Sequence, residues 1–345
     1  MNLPILLEWF QKHQRDLPFR RQPSPYGIWI SEVMLQQTQM ETVLKYYQSF
    51  LKRFPSIQAL ANASLEAVLT EVQGLGYYRR FRLMHQGAKY ILDHHQGIFP
   101  NTFETVLAIP GVGLYTAGAI MAIAYNQPYP ATDGNVIRVL SRYYGVKKDM
   151  RLPASKLHIN NLHQKLVLQT NPRNYIQAVM ELGALVCRPV KPACQTCPLQ
   201  KDCYAFQKGQ QESLPIITKT TKVKIKEWKT LMILQDDKIL MRKNKTNLLK
   251  DFYLLPQWEM KLEEVEEWLI KNRFKPIHLD ESQGFQHQFT HQTWVMEVYH
   301  LKVKSGLDKE GEWIPLQSLN SIPVPEAHKK IIRNYFPQYL KSKAL

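Results

Sequence analysis

The sequence predicts a mainly α-helical domain that ends in a cysteine-rich loop, followed by a smaller α+β domain. Three observations carry this. Apolar residues recur at helical period through roughly the first 212 positions. The only four cysteines of the 345-residue chain fall between positions 187 and 203. Beyond Cys203 the pattern changes to a basic, aperiodic stretch and then to short β-rich runs. Chain length agrees, since about 150 residues per domain predicts two.

In order along the chain, helices are expected over Ile28–Arg53, Ser64–Gln73, Arg80–His94, Thr116–Ala124, Val136–Tyr144 and Tyr175–Val186. Breakers separate them: Pro55, Gly74, Gly76, Pro100, Pro110, Pro128 and Pro172. Gln207–Lys226 reads as a linker. Strands are expected over Thr230–Gln235, Lys238–Arg242 and Thr293–Val303, with helices at Leu262–Asn272 and Ala327–Tyr335.

Lys and Arg number 45 against 29 Asp and Glu, a net charge of +16. The excess is uneven: residues 1–212 carry +10, residues 213–229 add +4 and the rest +2. A field of that sign points to a polyanion such as nucleic acid. Hydrophobic residues at 44% are enough for packed cores, which excludes a disordered tail. No run approaches the roughly 18 apolar residues a membrane span needs. The start MNLPILLEWF lacks the basic segment of a signal peptide. A cytoplasmic protein with reduced thiols is expected, which makes the cysteines metal ligands rather than disulfides.

Cys187, Cys194, Cys197 and Cys203 are separated by six, two and five residues. Four thiolates this close wrap one tetrahedral zinc or one [4Fe–4S] cubane, and spacing alone leaves both open. Arg188, Lys191 and Lys201 surround them with positive charge.

Pro110-Gly111-Val112-Gly113 lies between two apolar helical stretches. Glycines there permit a tight turn and a close backbone approach, and the following helix starts with free N–H groups suited to a phosphate oxygen. This is a helix-hairpin-helix pattern, which positions DNA without reading its sequence. Asp133-Gly134-Asn135-Val136 follows. Asp133 is an ordinary helix cap. It is also a carboxylate held ionised at a helix start, suited to stabilising an oxocarbenium-like sugar.

Glu32 stands among Ile28, Trp29, Val33, Met34 and Leu35. Burial there raises a carboxyl pKa, as a general acid at neutral pH requires. A surface glutamate turned from the apolar face is the alternative, and spacing alone favours it. The strip Gln36-Gln37-Thr38 is either solvated or able to enter a duplex and fill the gap left by an extruded base.

Taken together, ISEVMLQQTQ, GLGYYRR, the IPGVG and YTAGAI strings, TDGNVIRVLSR, MELGALVC and the cysteine spacing resemble the MutY family of adenine DNA glycosylases over nearly the whole chain. The spacing also resembles the cluster loop of endonuclease III relatives. The resemblance implies a mainly α helix-hairpin-helix DNA glycosylase core with an iron–sulfur cluster loop, plus a C-terminal α+β Nudix-like domain. Its boundaries would be residues 1–206 for the helical region, 207–228 for a basic linker and 229–345 for a Nudix-like 8-oxoguanine recognition domain.

It further implies a monomer that removes adenine opposite 8-oxoguanine or guanine in double-stranded DNA, and leaves any repair or replication protein partners unnamed. Glu32 would protonate the base and Asp133 stabilise the sugar cation, supported by Tyr115 and Asn135. Arg15, Phe19, Arg20 and Gln177 would line the adenine pocket. Gln37, Thr38, Leu75 and Tyr77 would wedge opposite the flipped base, and Gly111, Val112 and Gly113 would hold the backbone. Phe289, Thr290 and His291 match a Phe-Ser-His loop that reaches 8-oxoguanine, with Thr in place of Ser. Tyr115 stands where bifunctional relatives carry a lysine nucleophile, so strand cleavage should be weak or absent. Glu263, Glu264, Glu266 and Glu267 lack the spacing of a Nudix metal helix and read as a solvated face. Two rival readings are an endonuclease III-type glycosylase/lyase and a non-catalytic DNA-binding iron–sulfur protein.

Overall fold

The computed structural model describes residues 1–218, 224–246, 248–259, 261–279, 282–289 and 292–339. Its contacts divide the chain into two units, Met1–Asn62 with Leu83–Lys219, and Ala63–Arg82 with Thr220–Leu345. The helices up to the cysteine loop are α1 (Leu3–His13), α2 (Pro18–Arg21), α3 (Pro25–Leu35), α4 (Met40–Arg53), α5 (Ile57–Asn62), α6 (Leu65–Glu71), α7 (Arg79–His95), α8 (Phe103–Leu107), α9 (Leu114–Ala119), α10 (Gly134–Tyr144), α11 (Pro153–Val167), α12 (Pro172–Leu185) and α13 (Tyr204–Gln207).

Capping residues place several of these starts. The Ser24, Asn171 and Asp133 side chains accept backbone N–H bonds at the entries of α3, α12 and α10. Prolines at the first turns of α3 and α12 preset the backbone. Gly145, in the left-handed region at φ 67°, ends α10. The first unit's core runs along α12, whose Tyr175, Ile176, Val179 and Leu182 are at most 1% exposed.

Three expectations need correction. The helix expected over Ile28–Arg53 is two helices, broken at Gln36–Gln39 with Gln37 in the left-handed region at φ 58°. Neither proline nor glycine marks this break. α3 is buried on every side from Gly27 to Met34, whereas α4 is amphipathic and buries Val43, Tyr47 and Phe50. Packing, not local propensity, turns the chain there. Within the stretch read as a linker, the described residues around Leu214 are not free chain. Leu214 is buried, its carbonyl accepts from Arg142 Nε at 2.8 Å, and Ile216 bridges Asp149. The helix expected over Thr116–Ala124 also differs, becoming α9 followed by a π-helical turn at Ile120–Ala124.

In the second unit the strands are β1 (Lys224–Gln235), β2 (Lys238–Lys243), β3 (Tyr253–Leu254), β4 (Gln257–Trp258), β5 (Pro276–Leu279), β6 (Gln283–Gln288), β7 (Gln292–Val303) and β8 (Gly311–Pro315), with helices α14 (Leu262–Lys271) and α15 (Glu326–Tyr335). The sheet order is β3-β2-β1-β7-β5, with β4 on β1, β6 on β7 and β8 on β2. β1 and β7 run parallel, in register from Lys224 opposite Gln292 to Leu234 opposite Lys302. Leu231, Ile233, Leu240, Leu301 and Val303 of the sheet form one core with Val265 of α14 and Phe274. The four glutamates of α14 are exposed, whereas Val265 between them is buried.

Candidate active site

α3 carries Glu32 into the interior, where 6% of the residue is exposed. The burial expected from its neighbours therefore wins over the surface alternative. Its Oε2 accepts a hydrogen bond of 2.5 Å from the Tyr115 hydroxyl. Burial pushes the carboxyl up to about 7; the Tyr115 bond opposes this, the Asp133 charge adds to it, and Arg20 lowers it. The Tyr115 hydroxyl is itself held protonated, first by burial and then by the charges of Glu32 and Asp133.

Asp133 caps α10. Its Oδ1 accepts from the Val136 N–H at 2.7 Å and its Oδ2 from Asn135 Nδ2 at 2.7 Å. These bonds and Arg138 favour the anion, but burial outweighs them and raises the pKa above the ordinary value. The cap was expected to dominate; the position proves more desolvated than a sequence can reveal. Arg138 Nη2 donates to Asn135 Oδ1 at 2.8 Å and to the Gly183 carbonyl at 2.7 Å. Gly183 is required here, since a methyl on it would lie 2.6 Å from Asn135 Cβ.

Glu32, Tyr115, Asp133 and Asn135 line one cavity of about 680 Å³, together with Arg15, Phe19, Arg20, Gln37, Thr38 and Gln177. Among the described residues lining it there is no lysine. Arg15 and Arg20 do not project freely: Arg15 Nη2 and Arg20 Nη2 reach Glu181 Oε2 at 2.9 and 2.8 Å, and the Glu181 side chain is 1% exposed. Burial pushes Glu181 upward, but its bonds to both arginines outweigh this and hold it at about 2. Gln177 is tied by Nε2 to the Arg173 carbonyl at 3.2 Å. Gln37 is exposed at the bend between α3 and α4, and Thr38 is half-buried beside it.

The other expected residues lie outside this cavity. Gly111, at φ 82°, packs so closely that a methyl would meet Leu83 Cβ at 2.6 Å, while Gly113 faces open space at the start of α9. Val112 is 8% exposed and its N–H donates to the Ile109 carbonyl at 3.0 Å. In the second unit, Leu75 is buried and Tyr77 is 43% exposed with φ 48°. Phe289 packs edge-on to Trp294 at 4.9 Å between centroids. Thr290 and His291 lie outside the described residues.

The four cysteines are half-buried and unpaired by disulfides. Burial pushes the Cys197 thiol up to about 12, and Cys194 and Cys203 also upward, with the neighbouring cysteines adding to it. Among the described residues no three Cys, His, Asp or Glu side chains converge tightly enough to hold a single ion. Arg142 of α10 bears on what the loop could hold. It is 2% exposed, and its Nη1 donates to Cys187 Sγ at 3.3 Å and to Arg188 O at 2.7 Å. No carboxylate pairs with it among the described residues. A buried cation in that position fits an anionic, thiolate-bound group.

Sequence reasoning missed Glu181, Gly183, Arg138 and Arg142. Signals existed: an acid within an apolar helix for Glu181, and arginines four apart on one face of α10.

The family model of the HhH-GPD superfamily of base excision DNA repair proteins matches residues 30–166, and that of the NUDIX domain matches 229–334. The chain is 32% identical to the adenine DNA glycosylase of Buchnera aphidicola subsp. Acyrthosiphon pisum, over 96% of each chain. It is 44% identical to that of Mus musculus over 61% of this chain and 43% of the mouse protein. Among solved structures it resembles a thermostable thymine-DNA glycosylase at 25% identity and a TM-score of 0.54, covering 60% of this chain and 95% of the other. An endonuclease III in a DNA complex, at 20% identity and a TM-score of 0.51, shares the fold. The chain belongs to the adenine DNA glycosylase (MutY) family of base-excision DNA repair enzymes, N-glycosylases with a helix-hairpin-helix core and a Nudix-like second domain.

Proposed function

We propose that the chain hydrolyses the N-glycosidic bond of adenine opposite 8-oxoguanine or guanine in double-stranded DNA, without cutting the strand. The observation that carries this reading is the pair of carboxyl groups in one cavity, Glu32 poised near neutrality and Asp133 anchored at a helix start.

Adenine would enter the cavity after leaving the stack. Glu32, protonated and oriented by the Tyr115 hydroxyl, gives its proton to N7. The C1′–N9 bond breaks with its electron pair moving to the base, which departs neutral. The sugar cation faces Asp133, whose charge stabilises it, and Asn135 fixes that carboxylate. Water then adds to C1′ and gives up a proton to the carboxylate left on Glu32, which restores the acid. No lysine is among the described residues lining the cavity, which supports monofunctional chemistry, because a Schiff base needs an amine. The Arg15–Glu181–Arg20 cluster would form a rigid wall against the base.

Gly111 and Gly113 would meet a DNA phosphate, and Val112 would support the turn from within. Gln37, Thr38, Leu75 and Tyr77 would meet the base opposite, with Phe289, Thr290 and His291 reading 8-oxoguanine. Cys187, Cys194, Cys197 and Cys203 would hold a [4Fe–4S] cluster, which the buried Arg142 suits. That cluster, when bound, ties the loop together and supplies neither acid nor base to the bond that breaks.

Incubation with duplex containing adenine opposite 8-oxoguanine, followed by alkali, tests the reading. Strand breaks should appear only after alkali. Asp133→Asn and Glu32→Gln should bind the duplex but lose base release by about 10³-fold or more. Breaks without alkali would favour a lyase, and near-native rates in either variant would remove that residue's role.

A further inference from the structure

Residues 63–82 lie far in sequence from the C-terminal strands yet pack with them as one unit. Three attachments do this. Gln73 is 6% exposed; its Nε2 donates to the Ile322 carbonyl at 2.6 Å and its Oε1 accepts from the Lys329 ammonium. Arg82 Nε donates to Asp251 Oδ2 at 2.9 Å, with only 14% and 28% of the two side chains exposed. The Tyr78 ring lies 4.2 Å from that of Phe252, which is fully buried.

The attachments bracket the tight turn from Gly74 to Tyr77, where φ is positive at Gly74, Gly76 and Tyr77. The turn is also braced from within. The Gly74 N–H donates to the Tyr78 hydroxyl at 3.0 Å, and Arg80 Nη2 donates to the Leu75 carbonyl at 3.1 Å. A purely cohesive contact between sequence-distant segments needs only apolar area. Here a buried amide and a shielded ion pair, each with directional partners, flank a four-residue turn in which Tyr77 alone is a non-glycine residue held at positive φ. Such bonds specify position more than they add stability.

We infer that Gln73, Tyr78 and Arg82 are positioning residues through which the C-terminal domain fixes the Leu75–Tyr77 turn, and so sets the enzyme's discrimination between bases opposite adenine. This rests on the reading above that Leu75 and Tyr77 meet the opposing base. It makes the C-terminal domain act on specificity by holding a turn of the N-terminal sequence, in addition to any contact of its own with DNA.

The test measures adenine release under single turnover by the full chain, on duplexes with 8-oxoguanine or guanine opposite. Arg82→Ala and Gln73→Leu should each lower the ratio of the two rates about fivefold, with the rate opposite guanine kept within about twofold. Arg82→Lys, and the exchange of Arg82→Asp with Asp251→Arg, should recover most of the ratio. If the alanine and leucine variants keep the wild-type ratio while Tyr77→Ala loses it, the inference is wrong and the opposing-base reading stands. Rates that fall equally on both duplexes and stay low in the exchanged pair also overturn it. If Tyr77→Ala keeps the ratio as well, the opposing-base reading itself fails and takes the inference with it.

Discussion

At the scale of single residues, the proposed chemistry rests on Glu32. Its proton is held to about 7 in the folded chain and to about 4.5 in the open one. Between those values folding takes up a proton, so stability falls as pH rises through the window. Above it the wild type carries a buried charge that Glu32→Gln lacks. Thermal unfolding should therefore show the variant gaining about 2 to 3 kcal/mol on the wild type between pH 5 and pH 8; an offset that does not change with pH would contradict this. Glu32 and Asp133 stand out in the sequence because their strings are specific, and the structure brings both to one cavity. Their environments were less legible. The Tyr115 hydroxyl bonds Glu32, a pairing no local pattern indicates, and burial overrides the cap at Asp133. Both depend on which helices pack around a side chain, which no local pattern records.

At the scale of elements, α10 links the reacting end of the molecule to the cysteine loop. Asp133 caps it, and Arg138 and Arg142, one turn apart, bond the Cys187 carbonyl and Cys187 Sγ. Arg142 also holds the carbonyls of Leu214 and Arg188. Arg142→Met keeps the bulk but leaves several buried acceptors unpaired. It should lower stability by about 2 kcal/mol or more and reduce the iron held per chain, read as thermal midpoint and iron content together; wild-type values of both would contradict the role given to Arg142. Helices with an apolar stripe or a cap were readable in advance, as α10 and α12 illustrate. The break before α4 was not, because glutamines propagate a helix as readily as they end one. Strands β5, β6 and β8 also escaped: β6, QGFQHQ, carries little of the apolar alternation that identifies a half-buried strand.

At the scale of the whole molecule, the charge excess, the hairpin and the cavity lie in the sequence's first two-thirds, and the discriminating surface is assigned to residues from both parts of the chain. The match over 96% of the Buchnera protein spans both parts. In the proposed reaction one protonated glutamic acid and one anchored aspartate act on the same sugar–base bond. The most direct measurement is the single-turnover rate of adenine release from an adenine:8-oxoguanine duplex as a function of pH, for the wild type and Glu32→Gln. The wild-type rate should fall about tenfold per pH unit once pH exceeds about 7, and the variant should be slow and flat across that range. A wild-type rate that stays level through this region, or a variant that releases adenine at the wild-type rate, would contradict it.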